Sequence, residues 1–276
     1  MKLICSIFLV VFFHSASNSQ FYFNDILTTK QTNDQYTLLR KNNIRNVSAK
    51  SFEADETQSP DFKLEQLISK DGQMIITNSS SSNTGTTVST AYYENDRLIK
   101  TMDSSENILS VTLYQYDNNG HVESISTTTS DNFMNSHSQE NHKWIYEKDL
   151  PVKMLLIKNE KDTTTVEFQT DKGEIVSETW EKRGIPFEKY FYYYTSSAMI
   201  SDIVRYNSKA KQMLPDFTFD YDTQNRVSTF TQIRSSASDY YTWVYEYLPN
   251  GLKDKETCFD KQKSLVGKII FYYQTF

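Results

Sequence analysis

Cysteine is almost absent from this chain of 276 residues, which holds only Cys5 and Cys258. Cys5 lies in an N-terminal apolar run, so a chain that loses the run keeps one thiol and no internal disulfide. Stability must then rest on size and burial. Cys258, in Glu256-Thr257-Cys258-Phe259, falls at strand-like alternation and reads as a small buried hydrophobe rather than a reactive thiol. Glycine is also scarce, at seven, and mostly in turns, which leaves little for a phosphate cradle. No GxSxG, P-loop or GxGxxG motif and no Cys/His pair occurs, so no cofactor is implied. Basic residues are in deficit, 29 Lys and Arg against 35 Asp and Glu, without a basic cluster. A nucleic-acid partner is excluded on that ground, since phosphate binding rests on Lys and Arg. Beyond the N-terminal run no segment reaches the roughly 18 apolar residues of a membrane-spanning helix.

The apolar surface is carried by rings, with 19 Tyr and 17 Phe. Such side chains suit broad sheets wet on one face. The chain begins as a targeting segment: Lys2, the apolar run Leu3 to Phe13, then the small residues Ser15 to Ser19. Cleavage after Ser17 or Ser19 fits, and the second leaves Gln20 first. Removing residues 1–19 takes Lys2 away and leaves 28 basic against 35 acidic residues, a formal −7. The protein is expected to be exported and soluble, periplasmic or extracellular. Residues 20–43 predict a short helical or irregular cap over an end or edge of the sheet, with Asn24 as its N-cap. Residues 44–276 form the expected β-domain. Within it, the Ser/Thr/Asn-rich stretch Asn78 to Thr87 reads as a loop.

A repeat organises that domain. Phe217-Thr218-Phe219-Asp220-Tyr221, a polar turn, and Val227-Ser228-Thr229-Phe230-Thr231 spell a β-hairpin. Aligning the last strand aromatic gives Tyr93, Tyr116, Tyr146, Phe168, Tyr194, Tyr221, Tyr247 and Tyr273, at gaps of 23, 30, 22, 26, 27, 26 and 26 residues. An apolar residue follows the turn at Leu98, Val122, Val152, Ile175, Val227 and Leu252. The recurrence marks a repeat architecture whose hairpins bury a face only jointly. The form Tyr114-Gln115-Tyr116-Asp117-Asn118-Asn119-Gly120-His121-Val122 resembles YD-repeat proteins of the RHS type and the related hairpin-repeat proteins exported by Bacteroidetes-type bacteria. The resemblance covers about Ile44 to Phe276 and implies a repetitive antiparallel sheet at the cell envelope. It carries no functional residue across. Phe168 and Tyr194 lack the following Asp-x-x-Gly. The expected fold is all-β, a repetitive antiparallel meander of hairpins, coiled or partly rolled. Tyr190 to Tyr194, aromatic on both faces, is expected to be covered on both sides.

Candidate chemistry is sparse. His121 follows a turn, while His137 and His142 fall in Asp131 to Asn141, read as a polar loop. A site of His137, His142 and Glu140 lacks ordered ligand spacing, and solvated loop histidines are the simpler reading. Asp222 is expected to cap its turn and Asp220 to be solvated. Asp162-Thr163-Thr164 resembles an O-glycosylation acceptor of exported Bacteroidetes proteins. The aromatic row Tyr241, Trp243, Tyr245 and Tyr247 lies on one strand face, with Tyr240 opposite in phase. It could stack on sugar rings, or be the buried face of the sheet. The leading expectation is a non-enzymatic envelope scaffold that meets a protein or glycan partner. The alternatives are a carbohydrate-binding module using Tyr240, Tyr241, Trp243 and Tyr245, or a hydrolase with paired carboxylates.

Overall fold

The structure is a computed structural model and describes residues 20–82, 85–207, 211–233 and 240–276. The expected targeting segment, residues 1–19, with its cleavage sites lies outside the described residues. A helix comes first, wound as a π-helix over Tyr22–Leu27 and continuing as α1 (Thr28–Lys41). Strands follow in unbroken order. The first nine are β1 (Ile44–Glu53), β2 (Lys63–Ile68), β3 (Met74–Ser81), β4 (Gly85–Glu94), β5 (Arg97–Ser105), β6 (Ile108–Tyr116), β7 (Val122–Asp131), β8 (Ser136–Glu147) and β9 (Leu150–Lys158). The rest are β10 (Asp162–Asp171), β11 (Glu174–Lys182), β12 (Ile185–Tyr194), β13 (Ile200–Asn207), β14 (Gln212–Tyr221), β15 (Val227–Ile233), β16 (Tyr240–Tyr247), β17 (Lys253–Asp260) and β18 (Leu265–Thr275). No helix interrupts the described strands between Tyr93 and Tyr273.

Each strand pairs antiparallel with its sequence neighbours, and β1 also pairs with β18, Val47 opposite Tyr273 and Ala49 opposite Phe271. The sheet therefore closes into an 18-stranded up-and-down β-barrel, where an open coil was expected. Period-2 patterning reports each hairpin but is blind to a pairing between the two ends of the domain, which closes the ring. Closure also removes the sheet edges the N-terminal segment was expected to cover.

The repeat has a physical meaning in this ring. A register shift falls immediately before the anchor at Tyr92/Tyr93, Gln115/Tyr116, Ile145/Tyr146, Tyr193/Tyr194, Asp220/Tyr221 and Glu246/Tyr247. Such bulges bend a strand and increase its twist, and closure needs both. The anchor hydroxyl then donates to a backbone carbonyl one repeat back. Tyr116 reaches Leu98 O at 2.8 Å, Tyr146 reaches Val122 O at 3.0 Å and Tyr194 reaches Ile175 O at 2.6 Å. Tyr221 reaches Ile200 O at 2.7 Å, Tyr247 reaches Val227 O at 2.8 Å and Tyr273 reaches Lys253 O at 2.6 Å. Cationic or ring groups from the preceding turn cover several anchors: Arg97 over Tyr116, His121 stacked on Tyr146, Arg226 over Tyr247. The Asp after the anchor builds the turn. Asp117 Oδ1 accepts from the Asn119 and His121 amides, and Asp222 Oδ1 accepts from those of Gln224 and Arg226. Gly120, at φ 90°, holds the left-handed position that ends the first of these turns. Asp222 thus caps its turn as expected, and Asp220 is exposed.

Helix and lumen fit each other. On β8, His142 and Trp144 are buried while Lys143 and Ile145 are exposed, and on β11, Glu178 and Trp180 are buried while Thr179 and Glu181 are half-buried. The helix touches the buried phase all round the wall: Phe21 on Trp180, Tyr22 on Tyr192, Phe23 on Phe217 and Phe219, and Tyr36 on Tyr93. Its far end reaches turns at the anchor end of the strands, with Leu38 beside Gly251 and Arg40 paired with Asp96. The outer wall carries charge at mid-strand, with Lys153 opposite Glu167 at 3.2 Å and Lys255 bonded to Glu246 at 2.6 Å. On Tyr190–Tyr194, Tyr190 and Tyr192 are buried in the lumen while Tyr193 is 51% exposed. That strand is covered on one side, not both, because its outer aromatics face solvent. Asn78 to Thr87 is mostly strand, β3 paired with β4 through Asn78 and Val88. Asp131 to Asn141 is likewise mostly strand, β7 paired with β8. In the first segment the serines of β3 alternate faces of the barrel wall, and in the second only residues 132–135 form a turn.

Candidate functional site

Polar groups that no motif announces converge where the helix enters the lumen. Glu178 on β11 is fully buried, and four donors meet its carboxylate. Oε1 accepts from the Phe21 amide at 3.0 Å and Trp180 Nε1 at 2.8 Å, while Oε2 accepts from the Tyr22 amide at 3.0 Å and the Tyr192 hydroxyl at 2.8 Å. A helix start leaves its first amides without partners, and here a strand 156 residues away supplies them. Asn24 is therefore not the cap; the helix begins before it. Burial pushes the Glu178 carboxyl up to about 7, against the pull of its donors.

A second anchor lies on β8. Asp25 Oδ2 meets His142 Nδ1 at 2.7 Å and accepts from Trp144 Nε1 at 3.0 Å. The other ring nitrogen meets Glu140 Oε1 at 2.9 Å, and Glu140 Oε2 meets Lys158 at 2.9 Å. Burial lowers the His142 pKa, yet Asp25 and then Glu140 lift it to about 10. Burial raises that of Glu140, and His142 and Lys158 together bring it down to about 2. His142 is therefore a buried imidazolium between two carboxylates, not a solvated loop histidine. It sits in the strand phase of Trp144, and Phe21 packs edge-on against it at 5.0 Å. His137 belongs to the same strand but is exposed, with Nδ1 3.3 Å from Ser130 Oγ. The structure does not bring it to Glu140 and His142. His121 is bound to Asp117 at 3.0 Å in its turn.

A third cluster joins Gln20 to β13 and β14. Gln20 Nε2 donates to Asp216 Oδ2 at 3.0 Å, and Asp216 Oδ1 accepts from Arg205 at 3.2 Å. At the far end of the helix, Asn33 Oδ1 accepts from the Leu98 amide at 2.8 Å and Arg40 pairs with Asp96 at 2.6 Å. A cavity of about 50 Å³ remains between α1 and β2 to β5, lined by Thr32, Tyr36, Thr77, Ser89 and Thr101. That is room for a few waters, against the several hundred Å³ of a small-molecule site.

The expected aromatic row is placed as follows. Trp243 is buried, paired with Cys258 and packed on Phe230. Tyr241 and Tyr245 are half-buried on the same lumen face, and Tyr240 is exposed. Cys258 is buried, as its alternation implied. Asp162 pairs with Lys182 at 2.7 Å and Thr163 is exposed. Among the described residues no group of three His, Cys, Asp or Glu side chains is arranged to hold a metal ion. Sequence reasoning missed Asp25, Glu178 and Asp216, and of these only Glu178 leaves a retrievable signal on its strand. Glu178 shares the parity of Trp180, and Glu140 and His142 share that of Trp144. A charged side chain on the aromatic phase of a strand needs a partner from elsewhere.

No helix among the described residues is long and apolar enough to cross a membrane. No family model matches the chain, and no curated protein matches it. Among solved structures it is similar to a porin-like protein from Bacteroides uniformis ATCC 8492, at 6% identity and TM-score 0.40 over 84% of this chain and 96% of that one. It is also similar to the Photorhabdus luminescens Tc holotoxin pore, at 11% identity and TM-score 0.30 over 77% of this chain and 16% of that one.

Proposed function

We propose that the protein is an exported, non-enzymatic scaffold of the cell envelope, a barrel closed around its own N-terminal helix and bathed in water on its outer wall. The observation that carries this reading is the lumen. Among the carboxylates and imidazoles, those with the largest ionisation shifts, His142, Glu140 and Glu178, are spent on holding the helix, and all four carboxylate positions of Glu178 are taken by the chain itself. A general acid or base must reach a substrate atom; Glu178 and His142 are buried with their polar atoms already bonded, and the half-exposed Glu140 is held by His142 and Lys158. Charged pairs at mid-strand on the outer wall support a water-facing rather than lipid-facing surface, since Lys at a bilayer midplane costs about 2–4 kcal/mol. The chain from Gln20 onward is expected to stay in buffer without detergent and to give no conductance steps in planar bilayers. Dependence on detergent, or channel activity, would overturn the reading.

A second reading, a carbohydrate-binding module, has one observation in its favour. Large aromatics stand exposed at the hairpins of one rim: Phe133 at 84%, Phe187 at 56% and Tyr240 at 38%. Tyr241, Trp243 and Tyr245 would serve it only from within the lumen. Saturable binding on a glycan array, lost in Tyr240→Ala, would put this reading first.

A further inference from the structure

Around the first helical turn, carboxylates outnumber cations. Glu178 accepts from the Phe21 and Tyr22 amides. Asp216 accepts from Gln20 Nε2 and from Arg205, and Glu188 lies 3.8 Å from the same guanidinium. The cluster thus carries three acidic groups against one arginine, a formal −2. Burial raises the carboxyl pKa of all three. Gln20 is only 2% exposed, and its Oε1 is buried without a hydrogen-bond partner. Its carbonyl accepts from the Asn24 amide at 2.9 Å, so it belongs to the first turn. Amides at a helix start point back along the axis. Gln20 immediately precedes the two residues whose amides meet Glu178, and its side chain already reaches Asp216 in the same cluster.

We propose that Gln20 is the mature N-terminus and that its α-ammonium is a buried counter-ion of the Glu178–Asp216–Glu188 cluster. Removal of the leader after Ser19 is then a maturation step that completes the lumen. Hydrolysis adds one water across the Ser19–Gln20 bond: the new carboxylate departs with the leader, and Gln20 keeps an amine that takes up a proton. An α-amine of ordinary pKa near 8 is charged at neutral pH. It brings the cluster from −2 to −1. It also supplies N–H donors on the residue whose Oε1 has none. The helix dipole opposes a cation at this end with about half a positive charge, less than the two negative charges in excess.

The inference rests on the export reading, so its test has two arms. In the first, the full chain is expressed in a secreting bacterial host and the product is weighed intact. A chain of residues 20–276 is expected, and a chain starting at Asn18 would overturn the choice of site. Retention of the uncut chain in the cytoplasm would sink the export reading alone. The second arm does not depend on export. Chains starting at Gln20, and one residue earlier at Ser19, are produced directly and acylated with an amine-selective reagent at neutral pH. The Gln20 α-amine should label at least about tenfold more slowly folded than in urea, as buried groups react only on local opening. The Ser19 chain should lose that protection and melt lower, and Asp216→Asn should narrow the difference between the two. Equal labelling and equal melting of the two chains would overturn the proposal. So would cyclisation of Gln20 in the folded protein, its amine attacking Cδ with a mass loss of one ammonia.

Discussion

Tyrosine rather than phenylalanine recurs at the anchor positions because the ring alone completes only half of the contact. The ring packs on the core, while the hydroxyl takes the carbonyl at the start of the preceding repeat, as Tyr194 does with Ile175 O at 2.6 Å. Phe168, the one anchor without a hydroxyl, is buried against Trp144 instead. Tyr194→Phe should therefore cost about 1 kcal/mol. That is a melting shift of ~2 °C in a domain of this size, read by thermal denaturation, whereas Phe168→Tyr should gain nothing. Glu178→Gln is the harsher change. An amide can accept at its oxygen but turns two donors toward groups that are themselves donors, and the helix start loses its counter-charge. A loss of about 2–3 kcal/mol is expected from buried donors left unmet, measured by urea unfolding; a neutral result would remove Glu178 as the helix cap. The anchors and the turn aspartates were legible in the sequence because each repeats its own local chemistry. Glu178, Asp25 and His142 were not, because their partners lie more than a hundred residues away and no repeat marks them.

Tethering of the helix to β8 makes stability depend on pH in a direction that follows from the anchor. His142 is held charged, with its folded pKa raised from 6.5 to about 10. Its contribution is fully present below 6.5, declines above it, and is lost as pH rises through about 10. Glu140 runs the other way: its folded pKa is lowered from 4.5 to about 2, so its contribution is present above 4.5 and lost as pH falls through about 2. Between pH 7 and 9.5 the unfolding free energy should fall by up to ~1.4 kcal/mol per pH unit for this one proton. His142→Gln should be less stable at pH 7 and lack that slope in urea titrations. An unchanged slope would mean that the imidazole is not the group that titrates. The helical segment itself was readable from residues 20–43, but the side chains that hold it were not. Thr28, Thr29 and Thr32 weaken a solvent-exposed helix, yet Thr29 and Thr32 are buried here and Thr32 Oγ1 returns to Thr28 O at 2.9 Å. Within an aromatic lumen, packing of Phe21, Phe23 and Tyr36 outweighs the low intrinsic propensity.

Closure converts a repeat protein into a ring, and the two respond differently to loss of an end. In an open array each unit contacts only its neighbours, so stability is close to a sum and a missing terminal unit leaves the others folded. Here β18 pairs with β17 on one side and with β1 on the other, and Phe271 and Ile269 sit in the shared core. Deleting Leu265–Phe276 would leave unpaired backbone along β1 and β17, each a template for another chain. It would also open the lumen around a helix whose anchors lie on strands spaced around the wall. The truncated chain is therefore expected to lose its cooperative melt and to elute as oligomers in size-exclusion chromatography. An open meander would instead yield a shorter monomer with a slightly lower midpoint. A monomeric, cooperatively melting product would mean that the β1–β18 seam does not hold the fold. The hairpins would then act as independent units, each kept in place by its own tyrosine.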